Sequence, residues 1–197
     1  MKKLLFLSLL TFLWSNKTYS QENIKYDISV AGISIGELNA KKNTKDKNTV
    51  YELTSLVSFW FFGNISVNFE IISHYKDNLL VKSRTTTKSN RGDFFSKIDW
   101  INEQYEISAT SYKYELDTAL ANPFYFSSSK LYFEEPILHA VFMAENYGLS
   151  SPIKKKGDYY EVDVNGNKNK FYYLNGKLEK AIMQSPIKNY VIKRKSN

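Results

Sequence analysis

The chain has 197 residues and a net charge of +7, with 43% hydrophobic and 24% charged residues, ordinary globular usage that excludes a disordered composition. With no cysteine and two histidines, it excludes a disulfide scaffold, a cysteine nucleophile, a thiolate metal site and an acylated lipoprotein cysteine, and it argues against a multi-histidine metal centre. Aromatics are many (15 Tyr, 13 Phe, 3 Trp), while glycine and proline are few (8 and 4).

Lys2 and Lys3 open the chain and an apolar run follows over residues 4–14, LLFLSLLTFLW. Eleven helical residues span roughly 16 Å, about half of a bilayer core of roughly 30 Å. A basic start, a short apolar stretch and then small polar residues is the layout of a secretory signal peptide. Cleavage is expected after Ser20, with Thr18 and Ser20 flanking the site on its N-terminal side and Gln21 opening a single β-rich domain over 21–197. An exported protein, periplasmic or otherwise in the cell envelope, is therefore expected. The leader carries Lys2, Lys3 and Lys17 and no acid, so +7 falls by three to a mild +4. With that charge and that address, nucleic acid is not an expected partner. The longest later apolar stretch, 56–62 (LVSFWFF), is far too short for a membrane-spanning helix.

From Ile24 the dominant period is two. Tyr26, Ile28 and Val30 alternate with Asp27 and Ser29; Ile65, Val67, Phe69 and Ile71 alternate with Ser66, Asn68 and Glu70; Tyr160, Val162 and Val164 alternate with Glu161 and Asp163. Each such run makes one apolar and one wet face, as in antiparallel sheet. Turn signals punctuate the runs, among them Ala31-Gly32, Asp77-Asn78, Asn165-Gly166 and Asn175-Gly176; the Asn-Gly pairs suit type I′ hairpins. The pattern predicts strands near 24–30, 33–42, 49–60, 64–76, 79–88, 94–101, 104–117, 129–133, 158–164, 168–174, 177–184 and 187–194. The fold class expected is mainly β: an up-and-down antiparallel meander curled into a half-barrel or barrel. One segment departs from the period. Residues 134–148 read as a helix of about 136–147, with Pro136 at its first turn, Glu134 and Glu135 beside the positive end of its dipole, a stripe of Ile137, Leu138, Val141 and Phe142, and Gly148 closing it. Such a helix would plug the sheet's concave face.

Four motifs lie in order along the chain: Tyr26-Asp27-Ile28 followed by Gly32 and Ile33-Ser34-Ile35-Gly36; Leu131-Tyr132-Phe133-Glu134-Glu135-Pro136; the segment reaching Glu145; and Phe171-Tyr172-Tyr173-Leu174-Asn175-Gly176-Lys177-Leu178. In these the chain resembles a family of small, uncharacterised exported proteins of Gram-negative bacteria, a domain of unknown function. The resemblance implies no catalytic residues. In pattern the chain is also similar to lipoprotein-carrier-like half-barrels, in which a curved sheet wraps an apolar groove; that likeness is architectural and does not fix function.

Catalytic chemistry finds little support. Glu134 and Glu135 are adjacent carboxylates, but helix N-terminal placement explains them more simply than a glycosidase pair. His74 falls on the polar side of its strand and His139 flanks the apolar stripe; neither has a triad or zinc partner at a telling spacing. Arg91-Gly92-Asp93 reads as a turn, and Lys154-Lys155-Lys156 and Lys193-Arg194-Lys195 as solvated basic clusters. No catalytic residue, metal or cofactor is expected, and the enzyme question leans to no. The aromatic load is the feature above background. It points to a groove lined by Trp60, Phe62, Phe95, Phe124, Phe126, Phe142 and Tyr173 that takes a lipid-like or other hydrophobic small molecule. The alternatives are an envelope interaction or structural protein with a filled core, partnered by other envelope proteins, and a small outer-membrane β-barrel. The charged wet faces and the Lys-Arg-Lys-Ser-Asn tail speak against the barrel.

Overall fold

A computed structural model describes residues 19–60, 64–90, 92–111, 114–185 and 188–196. Fourteen strands form one antiparallel, unclosed sheet: β1 (Tyr19–Val30), β2 (Ile33–Lys45), β3 (Asn48–Phe59), β4 (Ile65–Lys76), β5 (Leu79–Ser89), β6 (Phe94–Ile101), β7 (Gln104–Ser111), β8 (Tyr114–Leu120), β9 (Val141–Ala144), β10 (Leu149–Lys156), β11 (Tyr159–Val164), β12 (Asn167–Leu174), β13 (Lys177–Met183) and β14 (Tyr190–Arg194). The meander β1 to β8 runs one way and β9 to β14 the other, and the two halves join where β1 pairs with β14. Register shifts at Ile28/Ser29, His74/Tyr75 and Tyr172/Tyr173 bend and twist their strands, which helps curl the sheet. Residues 1–18, which hold most of the expected leader, lie outside the described residues; Tyr19 and Ser20 open β1 opposite Lys45 and Thr44.

Alternation sets the inner face. Tyr26, Ile28, Leu38, Ala40, Tyr51, Leu53, Ile71, Tyr75, Ile98, Tyr105, Val162 and Phe171 all turn inward and are buried. Their strand neighbours carry the charges outside, such as Arg84, whose guanidinium grips both oxygens of Asp99 at 2.7 and 2.8 Å across the β5–β6 pair. Both Asn-Gly turns adopt positive φ at both positions (Asn165 49° and Gly166 80°; Asn175 50° and Gly176 74°), as type I′ hairpins require.

The expected helix at 136–147 is not formed. The 3₁₀ turn Lys130–Tyr132 is the one helical element among the described residues, and it replaces the strand expected at 129–133. Ile137 and Leu138, half of the supposed stripe, are 70% and 90% exposed, whereas Phe142, Met143 and Ala144 are fully buried as β9. A strand buried on both faces shows no alternation, so a short apolar run cannot be told from a buried helix by period. Pairing decides here. β9 bonds β10 on one side, and on the other the Met143 N–H donates to the Phe126 carbonyl at 3.0 Å while the Ser128 N–H donates to that of Met143 at 3.0 Å. Glu134 and Glu135 accept hydrogen bonds from Tyr51 at 2.8 Å and Tyr160 at 2.9 Å, tying the loop to two separate strands instead of capping a helix. The strand expected over 104–117 divides into β7 and β8, and β10 lies where no strand was expected.

The concave face is nevertheless plugged, by extended chain. Residues 121–148 re-enter the interior, with Phe124, Phe126, Leu131, Tyr132 and Phe133 buried against the inner wall. Phenols anchor the passage. Tyr26 donates to the Tyr132 carbonyl at 2.6 Å, Tyr173 to that of Leu131 at 2.7 Å, and Tyr105 to that of Leu80 at 2.8 Å while accepting the Phe124 N–H at 3.1 Å. Because Tyr105 serves both a strand and the plug, Tyr105→Phe should cost about 1–3 kcal/mol, read as a lower urea midpoint with an unchanged slope.

Among the described residues no hydrogen-bond ladder joins β8 to β9. The seam is packed instead: Tyr114 donates to the Tyr147 carbonyl at 3.1 Å with its ring edge-on to that of Tyr147, and Gly148 sits against Ile107, Ala109 and Leu116.

Candidate functional site

The plug fills one end of the curled sheet and leaves the other hollow. Antiparallel connectivity puts the β1–β2 and β11–β12 turns and the β13–β14 loop at the same end, and there a cavity of about 640 Å³ opens. That is mid-range for small-molecule sites, which run from about 300 to 1,000 Å³. One wall is β1 to β4, through residues such as Val30, Val57, Ile65, Val67 and Phe69; the facing wall is β11 to β14, through Val162, Val164, Phe171, Tyr190 and Ile192. The floor is the plug itself, with Leu131, Tyr132 and Phe142. Local sequence explains the lining. β-branched and aromatic residues alternate inward along these strands, and no plug residue reaches their far ends to cover them.

Polar groups gather at the mouth. Asn167, Gln184, Ser185 and Lys188 line it, along with Asn169 slightly deeper. Two of these amides are committed to backbone: Asn169 accepts the Gln184 N–H at 2.9 Å, and Gln184 in turn accepts the Lys168 N–H at 2.7 Å, so the rim is fixed across β12 and β13. Two phenols of the lining, Tyr132 and Tyr190, are not poised for proton transfer near neutrality. Burial pushes Tyr190 up to about 12 and raises Tyr132 further. Among the described residues no Asp, Glu or His lines the cavity, and no three His, Cys, Asp or Glu side chains gather as a metal site would need.

A smaller cavity of about 220 Å³ adjoins the first, sharing Phe69, Asn146 and Tyr147 with it and reaching Thr85, whose buried hydroxyl finds no protein partner among the described residues. Space of that size beside a polar group suits ordered water.

The aromatic residues expected to line a groove are dispersed. Phe142 lines the floor of the larger cavity and Phe95, half exposed, borders the smaller one. Phe124 packs on Tyr105 with ring centroids 5.6 Å apart, and Phe126 stacks on His139 at 4.6 Å, both within the plug. Tyr173 meets Tyr160 edge-on, Trp60 is 71% exposed at the end of β3, and Phe62 lies outside the described residues. The lining missed by sequence reasoning is mainly aliphatic. Its only signal was the inward alternation of Ile28 and Val30 and of Ile65 and Val67, which marks a buried face without saying whether that face meets protein or space. His74 is half-buried on β4, held below its ordinary pKa by burial and by Lys82 and Arg84, and His139 lies in the loop before β9 with its pKa lowered chiefly by burial. Around the turn at 90–93, Ser89 donates to the Gly92 carbonyl at 2.8 Å and Asp93 accepts the Ser89 N–H at 3.2 Å; Arg91 lies outside the described residues.

Deep in the plug sits a second polar cluster. The Glu145 carboxyl is fully buried and accepts the Ser129 N–H at 2.7 Å, the Ser129 hydroxyl at 3.1 Å and the Ser73 hydroxyl. Tyr75 feeds it through Ser127 and Ser129, at 2.6 and 3.0 Å. No ion pair reaches Glu145 among the described residues, and burial raises its pKa against the pull of these donors. Lys130 is buried over the Tyr75 ring, 4.4 Å from its centroid, and bonds Asn78 and the Tyr125 carbonyl; burial lowers its pKa to about 8. These groups fasten the plug to β4 and β5 and do not line the cavity.

Comparison with known proteins agrees on the fold. A solved structure from Brucella abortus, described as a beta-barrel-like protein of domain of unknown function DUF1849, is similar to this chain with a TM-score of 0.54 at 9% identity, over 91% of this chain and 97% of that one. At that identity the likeness shows architecture alone. No curated protein matches the chain. The family described as Domain of unknown function, DUF6134, matches residues 26–195, and the chain therefore belongs to that family.

Proposed function

We propose that this protein is a binding module that holds an apolar or amphiphilic small molecule inside its curled sheet, and that it does so after export. The observation that carries the reading is the cavity of about 640 Å³, walled by aliphatic side chains and left empty at one end of an otherwise plugged interior. Interiors normally close to near-crystalline density, and a void this large sacrifices contacts along its whole lining. A ligand would restore them. The export half of the reading is supported by the basic start and apolar run at 2–14. The inward-apolar, outward-charged faces are the reverse of a membrane-spanning barrel, which leaves that alternative without support.

The test is saturation binding of N-phenyl-1-naphthylamine, a neutral apolar fluorophore, to the purified chain. A single saturable site is expected, with Val67→Trp, which drives an indole into the void from a half-buried wall position, weakening it at least about tenfold, or about 1.4 kcal/mol. Circular dichroism melts run alongside would confirm that the variant folds. No saturable binding to the wild type would remove the proposal. It would favour a protein acting through its surface, for which the exposed Ile137 and Leu138 on the loop before β9 are the natural contact.

A further inference from the structure

We propose that the ligand is a single-chain amphiphile with a carboxylate head, its tail between the two walls and its head at Lys188; this rests on the binding reading above. Three observations converge. Among the described residues Lys188 is the one charged side chain lining the cavity and no acid lines it to neutralise that charge; Lys188 stands exposed at the mouth. No ion pair engages it among the described residues. A bound anion is therefore the group whose charge the site lacks, and one cation matches one negative charge.

Polarity is graded in the same sense. Most deep positions are Ile, Val, Leu and Phe, with the uncharged Ser55, Ser128, Asn146 and Asn169 among them, while Asn167, Gln184 and Ser185 stand beside Lys188 at the rim. An amphiphile entering head-last satisfies both ends at once, and the reverse orientation would bury a charge away from water and from any cation of the lining. Size sets the third limit. A cavity of about 150 Å³ lined by Leu, Ile and Phe holds one benzene. The 640 Å³ here is about four times that, room for roughly two dozen carbon atoms. That accommodates one acyl chain and falls short of two chains as long as that of tetradecanoate.

The experiment displaces bound N-phenyl-1-naphthylamine with tetradecanoate, tetradecanol, tetradecylamine and a two-chain phosphatidic acid, against the wild type, Lys188→Gln and Lys188→Arg. Tetradecanoate is expected to displace the probe about fivefold more tightly than the alcohol, in line with an exposed charge contact, with the advantage shrinking as salt rises. The amine and the two-chain lipid should be poorer still. Lys188→Gln should bring acid and alcohol within about twofold of each other, and Lys188→Arg should retain the preference. Equal displacement by acid and alcohol in the wild type, or an acid preference that survives Lys188→Gln, would overturn the head-group assignment while leaving apolar binding in place. Displacement by the two-chain lipid as strong as by tetradecanoate would overturn the single-chain assignment. If the fluorophore itself finds no saturable site, the cavity reading falls and this one with it.

Discussion

Replacing Glu145 with leucine should lower the unfolding free energy by about 3–5 kcal/mol, a fall in melting temperature of about 10 °C for a chain of this size. Leucine matches the carboxyl in bulk but cannot accept. The Ser129 N–H and the hydroxyls of Ser73 and Ser129 would then be buried without their acceptor. Glu145→Gln should stay within about 1 kcal/mol of the wild type. Its carbonyl can take the Ser129 N–H and its amide can donate to hydroxyls that rotate to accept. The same pair reads out a pH effect. Burial holds the folded-state pKa of Glu145 above the ordinary carboxylate range. The native state thus binds the proton more tightly than the unfolded chain. The group's favourable contribution is full below the unfolded pKa and is lost as pH rises through the folded one. The stability of Glu145→Gln relative to the wild type should therefore climb as pH rises from the ordinary carboxylate range towards neutrality. Urea titrations at a series of pH values measure it, and a flat difference would show that Glu145 titrates as a free carboxyl does.

Gly148→Val should be the most damaging change at the seam, costing about 3 kcal/mol or more. Two causes add. The residue has φ of +66°, a region that β-branched side chains avoid, and a Cβ there would land on Ile107 Cγ2, with Ala109 and Leu116 at 3.7 Å. The control is Gly157, whose φ of +58° is similar but whose Cβ would meet nothing within 4 Å. Gly157→Ala should cost only the backbone part, about 1–2 kcal/mol, and Gly148→Ala clearly more. Equal losses for the two alanine variants would mean that the Tyr147-Gly148 corner does not bear on β7. With the seam opened by Gly148→Val, amide exchange in β7 and β8 should speed up more than in β1 to β3, because β8 has a ladder partner only in β7.

Local rules carried far along this chain. The alternation of Ile65, Val67, Phe69 and Ile71 set which face of β4 turns inward, and the Asn-Gly pairs set two hairpins with the expected positive φ. Three features were not legible, each because it depends on residues distant in sequence. Phe142, Met143 and Ala144 are buried on both faces, so their period was silent, and only pairing with 126–128 and β10 made them a strand. Glu145 gave no sign of its serine cage, since Ser73, Ser83, Ser127 and Ser129 come from two strands and the plug. Of the aromatics expected at the site, Phe124 and Phe126 pack within the plug and Tyr173 ties it down through the Leu131 carbonyl, Phe142 alone of the seven lines the larger cavity among the described residues, and the hollow end fell mainly to aliphatic residues.

By itself the sequence determined a twisted antiparallel meander with a greasy inner face and charged outer face, because side-chain direction in a strand follows from a residue's immediate neighbours and the turns between strands from two or three residues each. Where that inner face is covered and where it stays bare was decided only in three dimensions. The length and path of the stretch from 121 to 148 determine how far the returning chain reaches along the inside of the sheet. It stops short of the end where Lys188 stands.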